Sequence, residues 1–373
     1  MNSTNQHKVV EFTLLGLTSF PRLSIALFLL LLITYILILL ANLLIIVAVH
    51  FEVRLLSAMY YFLSRLSLVD LCYATVTIPK ILADFISKTN TISINSCITQ
   101  LFFLHFFAGT ECILLTVMSY DRYIAICHPL RYSGIMNKTV CHWLEFVCWA
   151  TSCLHSIIQI IMTCQLKFCG PNQIDHFFCD IHPLSVLACS DIFIIEIVYV
   201  ANSGLISVLC FLVLLLSYVG IINTIRKARS EEGLGKAFST CAAHLTVVIL
   251  FFGSSVFIYL RPSVSYAVDK VVSVFYTMVT PLLNPIIYTL RNKEVKTAIN
   301  RLLRRRSLDR FLETLAWICQ QELCVSVSRC RIVACTAGSR TAASRGTLFL
   351  TYSGPETTAD QILQQRLHFF ISG

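Results

Sequence analysis

From Leu23 to Val49 the chain carries no charged side chain and is almost entirely apolar. At about 1.5 Å of rise per residue, a helix of that length exceeds the roughly 30 Å of hydrocarbon in a bilayer. Inside hydrocarbon every backbone amide needs an internal partner, which admits only helices and closed barrels, and a barrel strand uses only about ten residues. The run is therefore a membrane-spanning helix. Six more apolar runs follow near residues 57–80, 98–120, 140–163, 193–222, 238–260 and 271–290, each bounded by polar sequence. The chain is 56% hydrophobic and 13% charged, about half the charged fraction of a soluble domain. This excludes a water-soluble domain, disorder, a collagen and a small disulfide scaffold. The sequence predicts an all-α membrane protein, a seven-transmembrane helix bundle.

Orientation follows from the basic residues of the short loops, since positive flanks stay cytosolic. The loops at 50–56, 121–139, 223–237 and 291–306 hold fifteen Lys and Arg; those at 1–22, 80–97, 163–192 and 261–270 hold seven. The N-terminus is expected outside and the C-terminus in the cytosol, although the flanks of the first span alone lean the other way. The net charge of +9 thus belongs to membrane flanks and calls for no nucleic acid. The expected organisation is an extracellular segment 1–22, a transmembrane domain 23–290, an amphipathic cytosolic helix 291–306 and a disordered cytosolic tail 307–373, all in the plasma membrane. Residues 1–22 lack the apolar stretch of a cleavable leader. Asn2-Ser3-Thr4 is a glycosylation sequon on the outside; Asn137-Lys138-Thr139 falls in the cytosol.

Of 17 cysteines, Cys97, Cys169, Cys179 and Cys189 fall on the outer, oxidising side. Two bridges among them would brace the long loop 163–192, and four cysteines allow three pairings. His176-Phe177-Phe178-Cys179-Asp180 offers metal-competent ligands, but a disulfide at Cys179 removes its thiolate, so a structural loop is the preferred reading and no metal or cofactor is expected.

An ionisable group in a span is costly and marks function by default. Asp70 and Glu111 lie deepest in apolar sequence. With Asn42, Ser119 and Asn284 they can share a cation, a proton or water, or else form a polar plug that fixes packing. Arg65 lies near the cytosolic end of its span, where it can snorkel. Asp121-Arg122-Tyr123 closes the third span. In Asn284-Pro285-Ile286-Ile287-Tyr288 the proline frees a backbone carbonyl and makes a hinge beside a buried asparagine.

These features, taken with Met59-Tyr60-Tyr61-Phe62-Leu63-Ser64, Asp70-Leu71-Cys72-Tyr73, Met118-Ser119-Tyr120-Asp121-Arg122-Tyr123-Ile124-Ala125-Ile126-Cys127, Ser217-Tyr218, Lys236-Ala237-Phe238-Ser239-Thr240-Cys241 with His244, and Pro281-Leu282-Leu283-Asn284-Pro285 with Tyr288, make a chain that resembles the odorant (olfactory) receptors among the rhodopsin-type G-protein-coupled receptors. The likeness spans about residues 10–303, and Ile174 to Asp180 resembles olfactory family 4. It implies Cys97–Cys179 and Cys169–Cys189 bridges and coupling to a heterotrimeric stimulatory G protein. It also implies a switch at Asp121, Arg122 and Tyr123, with Tyr218, His244, Asn284, Pro285 and Tyr288 around it. The chain departs from the family pattern at Ala41, at Leu55 to Ala58, at Arg65 and at Phe252, and its tail beyond 306 is longer than the family's.

Helical spacing aligns His105, Ala108, Gly109 and Cys112 on the third span, Phe252, Val256 and Tyr259 on the sixth, and Asn202 with Ile206 on the fifth. The resemblance implies a cavity among them. Its apolar lining suits a small, weakly polar, volatile-like ligand; ordinary packing faces are the alternative. After the seventh span, Val295, Ala298, Ile299, Leu302 and Leu303 form the apolar stripe of a short interfacial helix whose basic residues favour anionic membrane lipids. An ion-coupled transporter built on Asp70 and Glu111 would need internal repeats, and none is found. A membrane enzyme would need a clustered nucleophile or metal set, which is also missing.

Overall fold

The charge-free run becomes helix α1, Pro21–Phe51, begun by a proline whose missing N–H costs nothing at a helix start. Leu31, Ile38, Asn42 and Ile45 are buried along one seam of α1, while Leu29, Leu30, Ile33, Ile36, Leu37 and Leu40 stay exposed. That outer face is what a bilayer covers. The computed structural model describes residues 10–17, 21–52, 57–87, 90–169, 172–189, 192–227, 241–242, 244–253 and 266–304. Asn2, Val256, Tyr259 and the tail beyond 304 lie outside the described residues.

Helix α2 is Ala58–Ile86, α3 Ile94–Cys127, α4 Lys138–Thr163, α5 Phe193–Lys227 and α6 His244–Gly253. Helix α7 is built of Tyr266–Val274, a π-helical turn Phe275–Val279 and Thr280–Arg291, and α8 is Lys293–Arg304. Six of these are long and apolar enough to cross a membrane, and α6 is a shorter apolar helix within the expected sixth span. The chain is a multi-pass membrane protein with a seven-helix transmembrane bundle. Helices α1 to α5 and α7 outrun the apolar stretches that announced them. α2 continues past residue 80 because Lys80 and Asp84, four apart, pair along its surface. α3 runs on past Asp121-Arg122-Tyr123, so the triplet sits inside the helix, more than a turn from its end.

Local capping agrees with the sequence. Ser93 accepts the Ser96 N–H at 3.2 Å to start α3, and Asn137 accepts the Val140 N–H at 3.0 Å to start α4. The most enclosed helix is α3, flanked by α2, α4 and α5. Helix α8 presents Val295 and Ala298 to the bundle core and is tied to the end of α1 by an Arg301–Glu52 ion pair at 3.2 Å.

At one end of the bundle lies a small three-stranded sheet that the sequence did not announce. Strand β1, Glu11–Leu14, pairs antiparallel with β2, Thr91–Ser93, and parallel with β3, Gln173–Ile174. Phe12, Leu14, Ile92 and Ile174 close over Leu101 and Leu184. Cys97 bonds to Cys179 with Cα atoms 5.5 Å apart, and Cys169 to Cys189 at 5.9 Å. Asp121 and Arg122 lie toward the opposite end.

Candidate functional site

Three clusters of buried polar side chains occupy the bundle, at the sheet end, in the middle, and near Arg122.

In the middle, the Asn284 amide nitrogen lies 3.0 Å from each carboxyl oxygen of Asp70 and 3.3 Å from Glu111 Oε1. Asp70 and Glu111 are fully enclosed, 1% and 0% exposed. One neutral amide with two hydrogens cannot satisfy two carboxylates, and among the described residues Glu111 Oε2 and Asn284 Oδ1 have no hydrogen-bond partner. Such an arrangement can share a proton or a cation. Asn42 stands apart from the acids. Its amide donates to the Ile38 and Pro281 carbonyls, both at 3.0 Å. The Pro281 carbonyl is the acceptor that an N–H at position 285 would occupy in a regular helix, and Pro285 has none. Asn42 from α1 replaces it. Ser119, expected among the acids, is buried but spends its hydroxyl on the Thr116 carbonyl at 2.7 Å, the usual fate of serine inside an apolar helix.

Near the other end, His244 on α6 touches two helices. Its Nε2 lies 3.1 Å from the Leu115 carbonyl of α3. A carbonyl can only accept, so Nε2 carries the proton and Nδ1 accepts from the Tyr218 hydroxyl of α5 at 2.7 Å. Tyr218 thus closes on His244. The Arg122 guanidinium sits among Tyr60, Tyr218, His244 and Tyr288, near enough for its charge to act on each. Asp121 accepts from the Tyr132 hydroxyl at 2.8 Å, and burial beside that carboxylate pushes the Tyr132 phenol above its ordinary range. Tyr123 lies against α5 where a β-carbon on Gly220 would come within 2.4 Å of its ring; only glycine leaves that space.

At the sheet end, His105 on α3 and His155 on α4 face each other with ring centres 6.0 Å apart. Gly109 lets α4 approach closely: a β-carbon there would lie 3.3 Å from Ser152 Oγ and 3.6 Å from the His155 ring. Asn202 of α5 donates to the His155 carbonyl at 3.2 Å. Cys112 and Phe252 are buried in the main core, with Ile206 packed against it, while Ala108 packs on a separate cluster beside Leu104 and Phe178. Asp180 stands 4.0 Å from His105.

The sequence missed several participants. Ser152, His155, Ser156, Gln159 and Thr163 are all buried, at i, i+3, i+4, i+7 and i+11 on α4, and this periodicity was the available signal. Gln159 reaches Ser203 of α5 at 2.8 Å and Thr163 reaches Tyr199 at 2.9 Å. Arg65 does not snorkel as expected. Its Nε pairs with Glu145 of α4 at 3.0 Å, and its guanidinium lies over the Tyr61 ring, 5.0 Å from the centre. The Tyr61 hydroxyl also donates to Glu145. A charge near the end of its span found a countercharge on α4 instead of reaching for water.

In the loop after α4, the Cys179 thiol is consumed in its disulfide and the His176 Nε2 contacts Ser273 Oγ at 3.2 Å. Among the described residues no three His, Cys, Asp or Glu side chains converge as metal ligands.

A sequence model of the olfactory receptor family matches residues 31–306. Olfactory receptor 4E2 of Mus musculus is 53% identical over 306 residues, covering 82% of this chain and 99% of that protein. Olfactory receptor 4Q3 of Homo sapiens is 52% identical over 303 residues, 81% and 96% of the two chains, and olfactory receptor 4E1 of Homo sapiens is 53% identical over 298 residues, 80% and 94%. The match, the seven-helix bundle and the buried polar clusters agree, and the chain belongs to the olfactory receptor family, whose members are G-protein-coupled receptors and not enzymes.

Proposed function

We propose that this receptor binds a small, largely apolar odorant between α3, α5 and α6, and that binding drives a stimulatory G protein and cyclic AMP production. The chain lies in the plasma membrane with its N-terminus outside. His105, Ala108, Gly109, Cys112, Asn202, Ile206 and Phe252 line the cavity, and helical spacing in the sequence assigns Val256 and Tyr259 to it as well. Asp121, Arg122, Tyr123, Tyr218, His244, Asn284, Pro285 and Tyr288 form the switch, and Asp70 with Glu111 shares a proton or a cation between the two. Residues 291–306 lie along the anionic inner leaflet, and Asn2 carries a glycan.

The observation that carries this reading is the His244 clasp, which holds α6 to α3 and α5 through one side chain. A ligand that binds better when the clasp is open shifts the helix equilibrium by that difference in affinity and no more. Cyclic AMP production in cells expressing the receptor tests it. Alanine at His105, Asn202 and Tyr259 together is expected to lower odorant potency by at least tenfold. Unchanged potency and maximum response would place the cavity elsewhere.

A further inference from the structure

Among the described residues, three buried polar atoms at the sheet end of α3 and α4 lack hydrogen-bond partners: His105 Nε2, His155 Nδ1 and Gln159 Oε1. All three residues are more than nine-tenths buried. His155 and Gln159 lie four apart on one face of α4, and the His105 ring is 6.0 Å from that of His155. An unpartnered polar atom in a membrane interior is expensive, typically about 1–3 kcal/mol, so a trio grouped beside the proposed cavity points to something that fills it.

The chemistry of the three atoms limits what that is. Gln159 is oriented by its own bond, because its amide nitrogen donates to Ser203 and so turns the bare carbonyl oxygen the other way. That oxygen only accepts and needs a donor from outside the protein. A neutral imidazole nitrogen either donates or accepts according to tautomer. A carboxylate ligand would set negative charge against the Gln159 oxygen and near Asp180, which stands 4.0 Å from His105. Ethers, esters and hydrocarbons supply no donor. A hydroxyl supplies a donor for Gln159 and an acceptor for an imidazole N–H in one group.

We infer that His105, His155 and Gln159 form a hydroxyl-recognising subsite, so that the ligands of this receptor are small alcohols or phenols held by the O–H end. This rests on the odorant-binding reading above and goes beyond it in naming the ligand class and assigning α4 a direct part in selectivity. His155 and Gln159 are specificity residues in this account and Ser203 is the positioning residue that aims the Gln159 carbonyl.

The test pairs aliphatic, cyclic and aromatic alcohols with their own methyl ethers in the cyclic AMP assay, reading the ratio of potencies on the same cells so that receptor abundance cancels. The unchanged receptor is expected to prefer alcohols over ethers by about tenfold or more, the value of roughly one hydrogen bond. Gln159→Met, which keeps length but removes the acceptor, is expected to bring that ratio within about threefold. His155→Met is expected to reduce the ratio as well, and serves where the first variant fails to reach the surface. A ratio near one in the unchanged receptor overturns the subsite, as does a preference that survives both substitutions. Ether or hydrocarbon responses as potent as those to the alcohols, and abolished in the alanine triple variant, would sink the subsite while leaving the cavity intact. Responses indifferent to the triple variant would instead remove the cavity reading itself.

Discussion

Asn42 on α1 donates its side-chain amide to the Pro281 carbonyl of α7 at 3.0 Å. That carbonyl is bare because Pro285, one turn further on, has no N–H to give. The hinge in α7 is thereby satisfied from another helix, and the two substitutions that undo it should not be independent.

Asn42→Leu strips the carbonyl of its donor and is expected to cost about 1–3 kcal/mol, seen as a lower melting temperature of the purified receptor. In a Pro285→Ala background the restored amide can bond the carbonyl directly, so the same substitution should cost clearly less. Equal costs in both backgrounds would show that Asn42 acts elsewhere.

Arg65 and Glu145 are each mostly buried and face each other at 3.0 Å. Arg65→Ala leaves the Glu145 carboxylate with Tyr61 and Trp149 as donors and His142 Nδ1 3.8 Å away, at an expected cost of about 1–3 kcal/mol for a partly solvated pair. The exchange Arg65→Glu with Glu145→Arg should recover part of the surface abundance that either change alone removes. No recovery would mean that shape rather than charge is read there.

Acid should loosen the sheet end. Burial holds the His176 imidazole down to about 4, below its ordinary 6.5. Unfolding then takes up a proton between those values, so stability is full above about pH 6.5 and falls as the pH drops toward 4. Melting temperature measured across that window should decline less in His176→Gln than in the unchanged receptor. Parallel curves would assign the acid sensitivity to other groups.

Gly220→Ala places a methyl group within 2.4 Å of the Tyr123 ring, so the ring must move. The expected result is normal surface abundance with a reduced maximum cyclic AMP response. A response equal to that of the unchanged receptor would show that Tyr123 has no fixed seat on α5.

Cutting the clasp should release α6. His244→Phe preserves an aromatic ring but removes both bonds, to Leu115 and to Tyr218, and is expected to raise ligand-independent cyclic AMP several-fold, the scale of about 1 kcal/mol in a two-state equilibrium. Basal output unchanged at equal surface abundance would argue against the clasp.

The spans were readable because twenty apolar residues in a row have one physical outcome in a bilayer. Asp70, Glu111 and Asn284 were readable as partners because each is costly alone in lipid. Arg65 stands out too, but nothing in the sequence pairs Glu145 with it, since Glu145 stands a few residues past Lys138 and His142 and reads as part of a charged flank. The sheet escaped notice because strands of two to four residues carry too little alternation to register. The polar face of α4 escaped for a different reason: serine, threonine, glutamine and histidine are each unremarkable singly, and only their common spacing reveals that they share a side.

The account stands most directly on Arg122 as the link between helix movement and G protein. Purified receptor mixed with a stimulatory G protein should accelerate nucleotide exchange when an activating odorant is added, and Arg122→Ala, present at the same amount and equally able to bind that odorant, should lose the acceleration. Odorant-stimulated exchange by Arg122→Ala at the unchanged receptor's rate would contradict it.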